Sequence, residues 1–337
     1  MEIVLDAMGG DHAPFETVKG AILALNEIPK LKMILVGHKD KIEQELIKYK
    51  YDKDRVEIIH TDEVIEMNEK KSPAMAVREK KNASMNIALQ FVKEGKAYAS
   101  VSAGNTGALM SASLLKLGRI KGVLRPAITT VFPSKKGKMI LLDVGANADC
   151  KSEYLKQFAM MGSFYAKMIL KKDNPKIGIL NIGTEEGKGN SLTNEAYQLL
   201  NETKDINFIG NTEPGDIFKG DVDVIVTDGF TGNIVLKTSE GIAKLIFDII
   251  KESLKDKFIS KIGALLMKPI FINLKERMDY SEYGGALFLG LDGISIKSHG
   301  SSDAKAIKNG IKIAYFFAEN NFVGNLKEIM KGEKPNG

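Results

Sequence analysis

The chain has 337 residues, of which 44% are hydrophobic and 27% charged, a balance that builds globular cores and excludes an intrinsically disordered protein. Forty-eight Lys and Arg against 43 Asp and Glu leave a net charge of +5, too small at this size to coat nucleic acid, so no nucleic-acid partner is expected. The single cysteine, Cys150, excludes an internal disulfide framework and a multi-thiolate metal site, and reads as an inert thiol in a reducing compartment.

In chain order, Ile3-Val4-Leu5 predicts a strand that stops at Asp6 and opens into LDAMGGDHAP (5–14), with Pro14 starting the next helix. No basic n-region precedes an apolar core there, and no run reaches the roughly 18 apolar residues of a spanning helix, so a cytosolic chain is expected. Two more strands end at His38 and His60, which read as structural or solvent-facing. A helix is predicted over 72–94, with Ser72 as cap and Pro73 in its first turn. Its pattern hesitates at Asn82 and Ala83, just after the basic cluster Arg78, Lys80 and Lys81.

The next strand runs into YASVSAGNTG (98–107), followed by a helix over 107–116. MILLDVGANAD (139–149) repeats the event before a helix over 153–171, and KIGILNIGTEEGKGN (176–190) and VDVIVTDGFTGN (222–233) repeat it again. A helix over 239–258 carries Ile242, Leu245, Ile246, Ile249, Ile250, Leu254 and Phe258 at helical spacing. GISIKSHGSS (293–302) is the sixth ending of the same kind.

Short continuous apolar runs alternating with helices indicate strands buried on both faces, as in a parallel sheet. The length predicts two lobes or two domains, and the alternating pattern joins them as one α/β unit over 1–337 with two lobes. Ligands of such folds bind beyond the carboxyl ends of the strands, so six glycine-rich corners imply one shared crevice for an anion. The expected anion contacts are Asp6, Gly9, Gly10, Gly104, Thr106, Gly107, Gly183, Thr184, Gly187, Asp228, Gly229, Gly232 and His299.

No GxGxxG follows a strand, and GTEEGKGN (183–190) fails as a nucleotide-phosphate loop because three residues rather than four separate Gly183 from Gly187 and Gly189 stands where Ser or Thr is needed. Lys188 then reads as a cation for another anion. No GxSxG or HExxH is present, which removes serine-nucleophile and zinc-hydrolase readings. Asp6, Asp11, Asp143, Asp149 and Asp228 read as loop and helix caps rather than metal ligands, so no metal and no cofactor are expected. His12 and His299 sit inside corners, where His12 reads as an acid, a base or a phosphate donor. Asparagines at the corners, Asn105, Asn147, Asn181, Asn190 and Asn233, either donate to an oxyanion or occupy turn positions.

Residues 251–277 carry seven Lys or Arg against three acids around Phe258, Ile259, Ile262, Leu265, Leu266, Met267, Ile270 and Phe271. A basic flank with a short apolar face describes a protruding segment for an anionic membrane, for a partner subunit, or for both.

The segments LDAMGGDHAP (5–14), SAGNTGALM (102–110), LRPAI (124–128), LLDVGANADCK (141–151), NIGTEEGKGN (181–190), DGFTGNIVLKTSEG (228–241) and GG…HGSS…AI (284–307) closely resemble the bacterial phosphate acyltransferase family. That resemblance implies a three-layer αβα Rossmann-like fold, similar to isocitrate and isopropylmalate dehydrogenases and phosphate acetyltransferases, in a two-lobed homodimer. It also implies conversion of acyl-acyl carrier protein and inorganic phosphate to acyl phosphate for phospholipid synthesis. Peripheral membrane contact follows, at Phe258, Ile262, Leu265, Leu266 and Ile270, beside a membrane glycerol-3-phosphate acyltransferase that would act next. Within that chemistry Lys188 neutralises phosphate or the oxyanion, Asn105 and Asn233 donate amides, and His12 orients or deprotonates phosphate. Arg78, Lys80 and Lys81 are docking charges for the acidic carrier. Acyl-coenzyme A as donor and a non-catalytic membrane scaffold are the alternatives.

Overall fold

The computed structural model describes residues 1–253, 266–270 and 284–331. The chain divides into two compact units, Met1–Thr129 with Ser281–Gly337, and Thr130–Tyr280.

In the first unit, β1 (Glu2–Asp6), β2 (Lys32–Gly37), β3 (Val56–His60), β4 (Ala99–Ser102), the start of β5 (Ala127–Ser134), β10 (Ala286–Leu289) and β11 (Ile294–Lys297) stand in the order β3-β2-β1-β4-β11-β10-β5. Strands β1 and β4 are buried almost throughout, which is why their apolar runs show no alternation. β1 runs parallel to β2 and β4, and β4 parallel to β11, so their carboxyl ends line up. The sheet is mixed rather than all-parallel, because β10 runs antiparallel to both β11 and β5. Only residues 290–293 separate β10 from β11, too few for the crossover that parallel neighbours require. Helix α1 (Phe15–Glu27) packs on the helix Ala304–Glu319, and α4 (Ser84–Lys93) packs on α5 (Thr106–Lys116).

The hesitation at Asn82 and Ala83 is a true break: α3 (Pro73–Glu79) ends and α4 begins only at Ser84. Thr61 Oγ1 donates to the Asn82 carbonyl and the Ser84 amide to the Glu63 carbonyl, so backbone groups freed by the break find partners. The break places the Ser84 hydroxyl on Asp6.

In the second unit, β6 (Gly137–Leu142), β7 (Lys176–Leu180), β8 (Asn207–Thr212) and β9 (Val224–Val226) lie in the order β6-β9-β7-β8, with parallel pairing throughout. Helices α6 (Ser152–Leu170), α7 (Ser191–Asn201) and α8 (Gly229–Ser253) connect or follow them. Gly162 lets α6 approach closely, since a Cβ there would stand 2.8 Å from Val224 of β9. The helix expected over 239–258 begins ten residues earlier, at Gly229, directly after the β9 corner. Its Ile242, Leu245, Ile246 and Ile249 form an exposed apolar stripe. Leu254, Phe258, Ile262 and Leu265 lie outside the described residues, whereas Leu266 and Ile270, in a helical stretch over 266–270, are 77% and 61% exposed. Among the described residues no helix is long and apolar enough to cross a membrane.

Candidate active site

Asp6 ends β1 and is only 2% exposed. Its Oδ1 accepts from Ser84 Oγ at 2.6 Å and from the Met8 amide at 3.2 Å, while Oδ2 accepts from Ser102 Oγ at 2.7 Å. Ser102 Oγ in turn accepts from the Gly104 amide at 3.0 Å. Burial pushes the Asp6 carboxyl above its ordinary range, against the lowering effect of its bonds to Ser102, Ser84, Met8 and Gly9. This carboxylate therefore holds the corner from beneath; its oxygens are occupied by protein donors rather than turned toward an anion. Gly9 has to be glycine here, because a Cβ would lie 2.5 Å from Asp6 Oδ2 and 2.7 Å from the Gly104 nitrogen.

The neighbouring corners lock onto this one. Thr17 Oγ1 ties α1 to the Ala7 carbonyl at 2.7 Å, and the Asp11 amide, just past Gly10, donates to the Gly300 carbonyl at 2.8 Å. Glu16 accepts from the Ala304 amide and Asp303 from the Ala306 amide, so two carboxylates cap the helix Ala304–Glu319. His12 and His299 are both exposed. His299 Nδ1 accepts from the Ser301 amide at 3.2 Å, an arrangement that assigns the ring proton of the neutral form to Nε2. Asn105 caps α5 through Oδ1 to the Ala108 amide, and its Nδ2 donates to the Met67 carbonyl at 3.0 Å. That leaves one side-chain N–H of Asn105 for any ligand, next to the exposed Thr106 and Gly107 of the first helical turn. Lys80 donates to the Val64 carbonyl and to Glu69, whereas Arg78 and Lys81 are exposed.

The second unit builds its corners from shorter-range bonds. Asp143, immediately after β6, is fully buried; Oδ1 accepts from the amides of Gly145 and Ala146, and Oδ2 from the amide and Nδ2 of Asn147 at 2.7 and 2.9 Å. The β9 corner folds onto it: the Gly229 amide donates to the Asn147 carbonyl, and any Cβ at Gly232 would collide with the Asp143 carbonyl. Asp228 caps α8 through Thr231, accepting from its amide at 2.8 Å and its hydroxyl at 2.7 Å. Asn233, one turn in, is exposed, with its side chain beside Gly145. In the β7 corner, buried Asn181 donates to the Lys188 and Asn211 oxygens, and Asn211 donates to the Glu185 carbonyl. These bonds hold the loop carrying Gly183, Thr184, Gly187 and Lys188, and Lys188 itself is exposed. Asn190 forms a reciprocal cap with Thr193 at the start of α7. Since β6, β9 and β7 are adjacent, Asn233 and Lys188 stand on neighbouring corners.

Burial, and then the charges of Asp143, Asp228 and Asp149, push the Cys150 thiol up to about 12, a poor nucleophile. Among the described residues no three His, Cys, Asp or Glu side chains gather where they could hold a metal ion.

A family model described as "Fatty acid synthesis protein" matches residues 1–325. The phosphate acyltransferase of Fusobacterium nucleatum is 58% identical over 334 residues, covering 99% of this chain and 100% of that one. The chain belongs to the phosphate acyltransferase family. The phosphate acyltransferase of Dictyoglomus thermophilum is 52% identical over 315 residues, 93% of each chain. The solved structure of a phosphotransacetylase from Streptococcus pyogenes, 18% identical, superposes with a TM-score of 0.64 over 95% of this chain and 94% of its own, so the expected phosphate-acetyltransferase-like α/β fold is the one observed. Phosphate acyltransferases are enzymes of fatty-acid and phospholipid synthesis, and this chain is one of them. Residues that sequence reading passed over are the partners of the corner groups: Ser84, Ser102 and Lys297. Ser84 carries no local signal, being 78 residues from the carboxylate it binds. Lys297 does: it is a charge at the end of the buried strand Ile294–Lys297.

Proposed function

We propose that this phosphate acyltransferase moves an acyl group from acyl-acyl carrier protein to inorganic phosphate, releasing acyl phosphate and the free carrier. A phosphate oxygen attacks the thioester carbonyl, the C–O bond forms, and collapse of the tetrahedral intermediate breaks the C–S bond. A thiol with pKa of about 8.5 leaves without a strong acid, so the protein's tasks are to position phosphate and to stabilise the oxyanion. The observation that carries this reading is that the exposed Lys188 and Asn233, a cation and an untitratable amide donor, stand on the corners of adjacent strands. Lys188 neutralises phosphate or the oxyanion; Asn233 donates to it. The first unit, taken by itself, offers anion contacts at Asn105, Thr106, Gly107 and His299, and its His12 can orient or deprotonate such an anion. Direct attack by phosphate leaves no acyl-carrying role for Cys150.

The decisive experiment incubates pure protein with long-chain acyl-acyl carrier protein and phosphate and traps the product with hydroxylamine. Phosphate-dependent hydroxamate supports the reaction; its absence with the carrier still loaded removes it. Running acyl-coenzyme A in parallel separates the two donors.

Exposed Arg78 and Lys81 support docking of an acidic carrier on α3, with Lys80 held in place by Glu69. Reversing both charges should raise KM for the carrier thioester alone; an equal rise for acyl-coenzyme A would count against docking there. Exposed Leu266 and Ile270 support peripheral contact with an anionic membrane, where a glycerol-3-phosphate acyltransferase would consume the acyl phosphate. Leu266→Glu with Ile270→Glu should lower co-sedimentation with anionic vesicles, and unchanged sedimentation would remove the idea. The apolar stripe of α8 supports a homodimer. Ile246→Glu should shift the chain toward monomer in sedimentation equilibrium, and an unaltered mass would exclude that seat.

A further inference from the structure

Lys297 is the last residue of β11 and is only 7% exposed. Lysine ammonium groups are almost never buried unless compensated, because they lose strong hydration. The compensation here comes in part from two backbone carbonyls: Nζ donates to the Ala103 carbonyl at 3.4 Å and to the Ser298 carbonyl. Ala103 lies in the corner after β4, Ser298 in the corner after β11, and Ser102 and Lys297 are register partners across the two strands. Three adjacent strands, β1, β4 and β11, therefore end in Asp6, Ser102 and Lys297. The stretch 102–104 is gripped from both flanks, by Asp6 through Ser102 Oγ on one side and by Lys297 through the Ala103 carbonyl on the other.

We propose that Lys297 is a positioning residue for phosphate, acting through the two peptides whose carbonyls it binds. A peptide unit is planar, so fixing the Ala103 carbonyl holds the Gly104 N–H on Ser102 Oγ and with it the start of the corner, while fixing the Ser298 carbonyl aims the His299 N–H. Lys297 in this way sets the entry to Gly104–Gly107 and the entry to His299–Ser302, two of the corners assigned above to the anion. A methionine would fill much the same volume without the desolvation cost of a charge, so the ammonium is retained for its directional bonds. The inference rests on the reading of inorganic phosphate as acyl acceptor.

The test is Lys297→Met in the full-length protein, with kcat, KM for phosphate, KM for the acyl donor and thermal midpoint measured beside the wild type. Loss of charge-assisted bonds should raise KM for phosphate by about tenfold or more, with KM for the acyl donor held within about twofold. A lowered thermal midpoint with wild-type KM for phosphate would mean a merely structural lysine and overturn the proposal. Should Lys297→Met not fold, Lys297→Arg carries the test. Its wider fork cannot keep both carbonyls in so closed a space, so a smaller selective rise, about threefold, is expected; an unchanged KM for phosphate overturns the idea there too. Failure of the wild type to form acyl phosphate would strike the underlying reading instead. Calorimetry with inorganic phosphate alone then decides: weaker binding by Lys297→Met supports positioning, and equal affinity refutes it.

Discussion

Asp6 and Asp143 occupy equivalent places, each at the carboxyl end of a buried strand in its own compact unit, yet they are held in opposite ways. The four donors named for the Asp143 carboxylate all come from residues 145–147, a grip made within one turn. Asp6 relies on Ser84 and Ser102, which reach it from residues 78 and 96 positions away. The named side-chain bonds of Asp143 are local, whereas those of Asp6 to Ser84 and Ser102 form only once α4 and β4 are in place. The same contrast extends to the cations, since Lys188 is exposed on its loop while Lys297 is sealed beneath two corners.

The sharpest way to break the comparison is Asp143→Ala. It strips the acceptor from three backbone amides and the Asn147 side chain in a buried site, so a loss of about 3–5 kcal/mol is expected. Urea unfolding measures it, and a loss under about 1 kcal/mol would mean the turn holds without its carboxylate. Next is Lys188→Ala. An exposed loop cation contributes to the transition state rather than to the fold, so kcat/KM should fall about 10²–10³-fold with the thermal midpoint unchanged. Near wild-type turnover at saturating phosphate would remove Lys188 from the chemistry.

Asp6→Asn gives a smaller effect and a distinctive pH signature. Burial raises the Asp6 carboxyl in the folded chain above its unfolded value, so the folded state binds the proton more tightly. The stability this provides is present at low pH and is lost as pH rises from about 4 through the raised value, with a slope of at most about 1.4 kcal/mol per pH unit. Asparagine cannot titrate. The stability difference between wild type and variant should therefore move in the variant's favour across that window, and parallel curves would show that Asp6 is not desolvated as its surroundings demand.

How far the sequence could be read follows from the same contrast of local and distant partners. All six glycine-rich endings sit at strand ends, because an apolar run stopped by glycine is a local signal, and DVGAN already contains the donors that bind Asp143. Helices 107–116 and 153–171 were legible to within a residue or so, since their periodicity is local as well. The reversal of β10 was not legible, because strand direction depends on pairing with distant β5. Nor was the use of Asn105. A corner asparagine reads equally as an oxyanion donor or as a cap, and only the approach of the Met67 carbonyl and the Ala108 amide shows that most of its capacity is taken. Asn233, with the same local credentials, stays exposed.

Cys150 offers the smallest expected effect and the cleanest check on the β6 corner. Its Sγ lies 3.6 Å from the Asn147 carbonyl, against the turn that Asp143 organises, and burial together with the nearby carboxylates pushes the thiol up to about 12. Its thiolate, the reactive form, is then scarce at any neutral or mildly basic pH. Iodoacetamide at pH 8 should alkylate the folded protein at least about a hundredfold more slowly than an unfolded sample, whose thiol has a pKa of about 8.5. Cys150→Ser should leave turnover unchanged, as direct attack by phosphate requires no acyl-cysteine. In Asp143→Ala, removal of that charge and loosening of the turn act in the same direction, lowering the thiol pKa and opening access to it, so labelling should accelerate even in the fraction that remains folded. Fast labelling of the native wild type would show that the β6 corner opens far more often than the bonds to the Asp143 carboxylate allow.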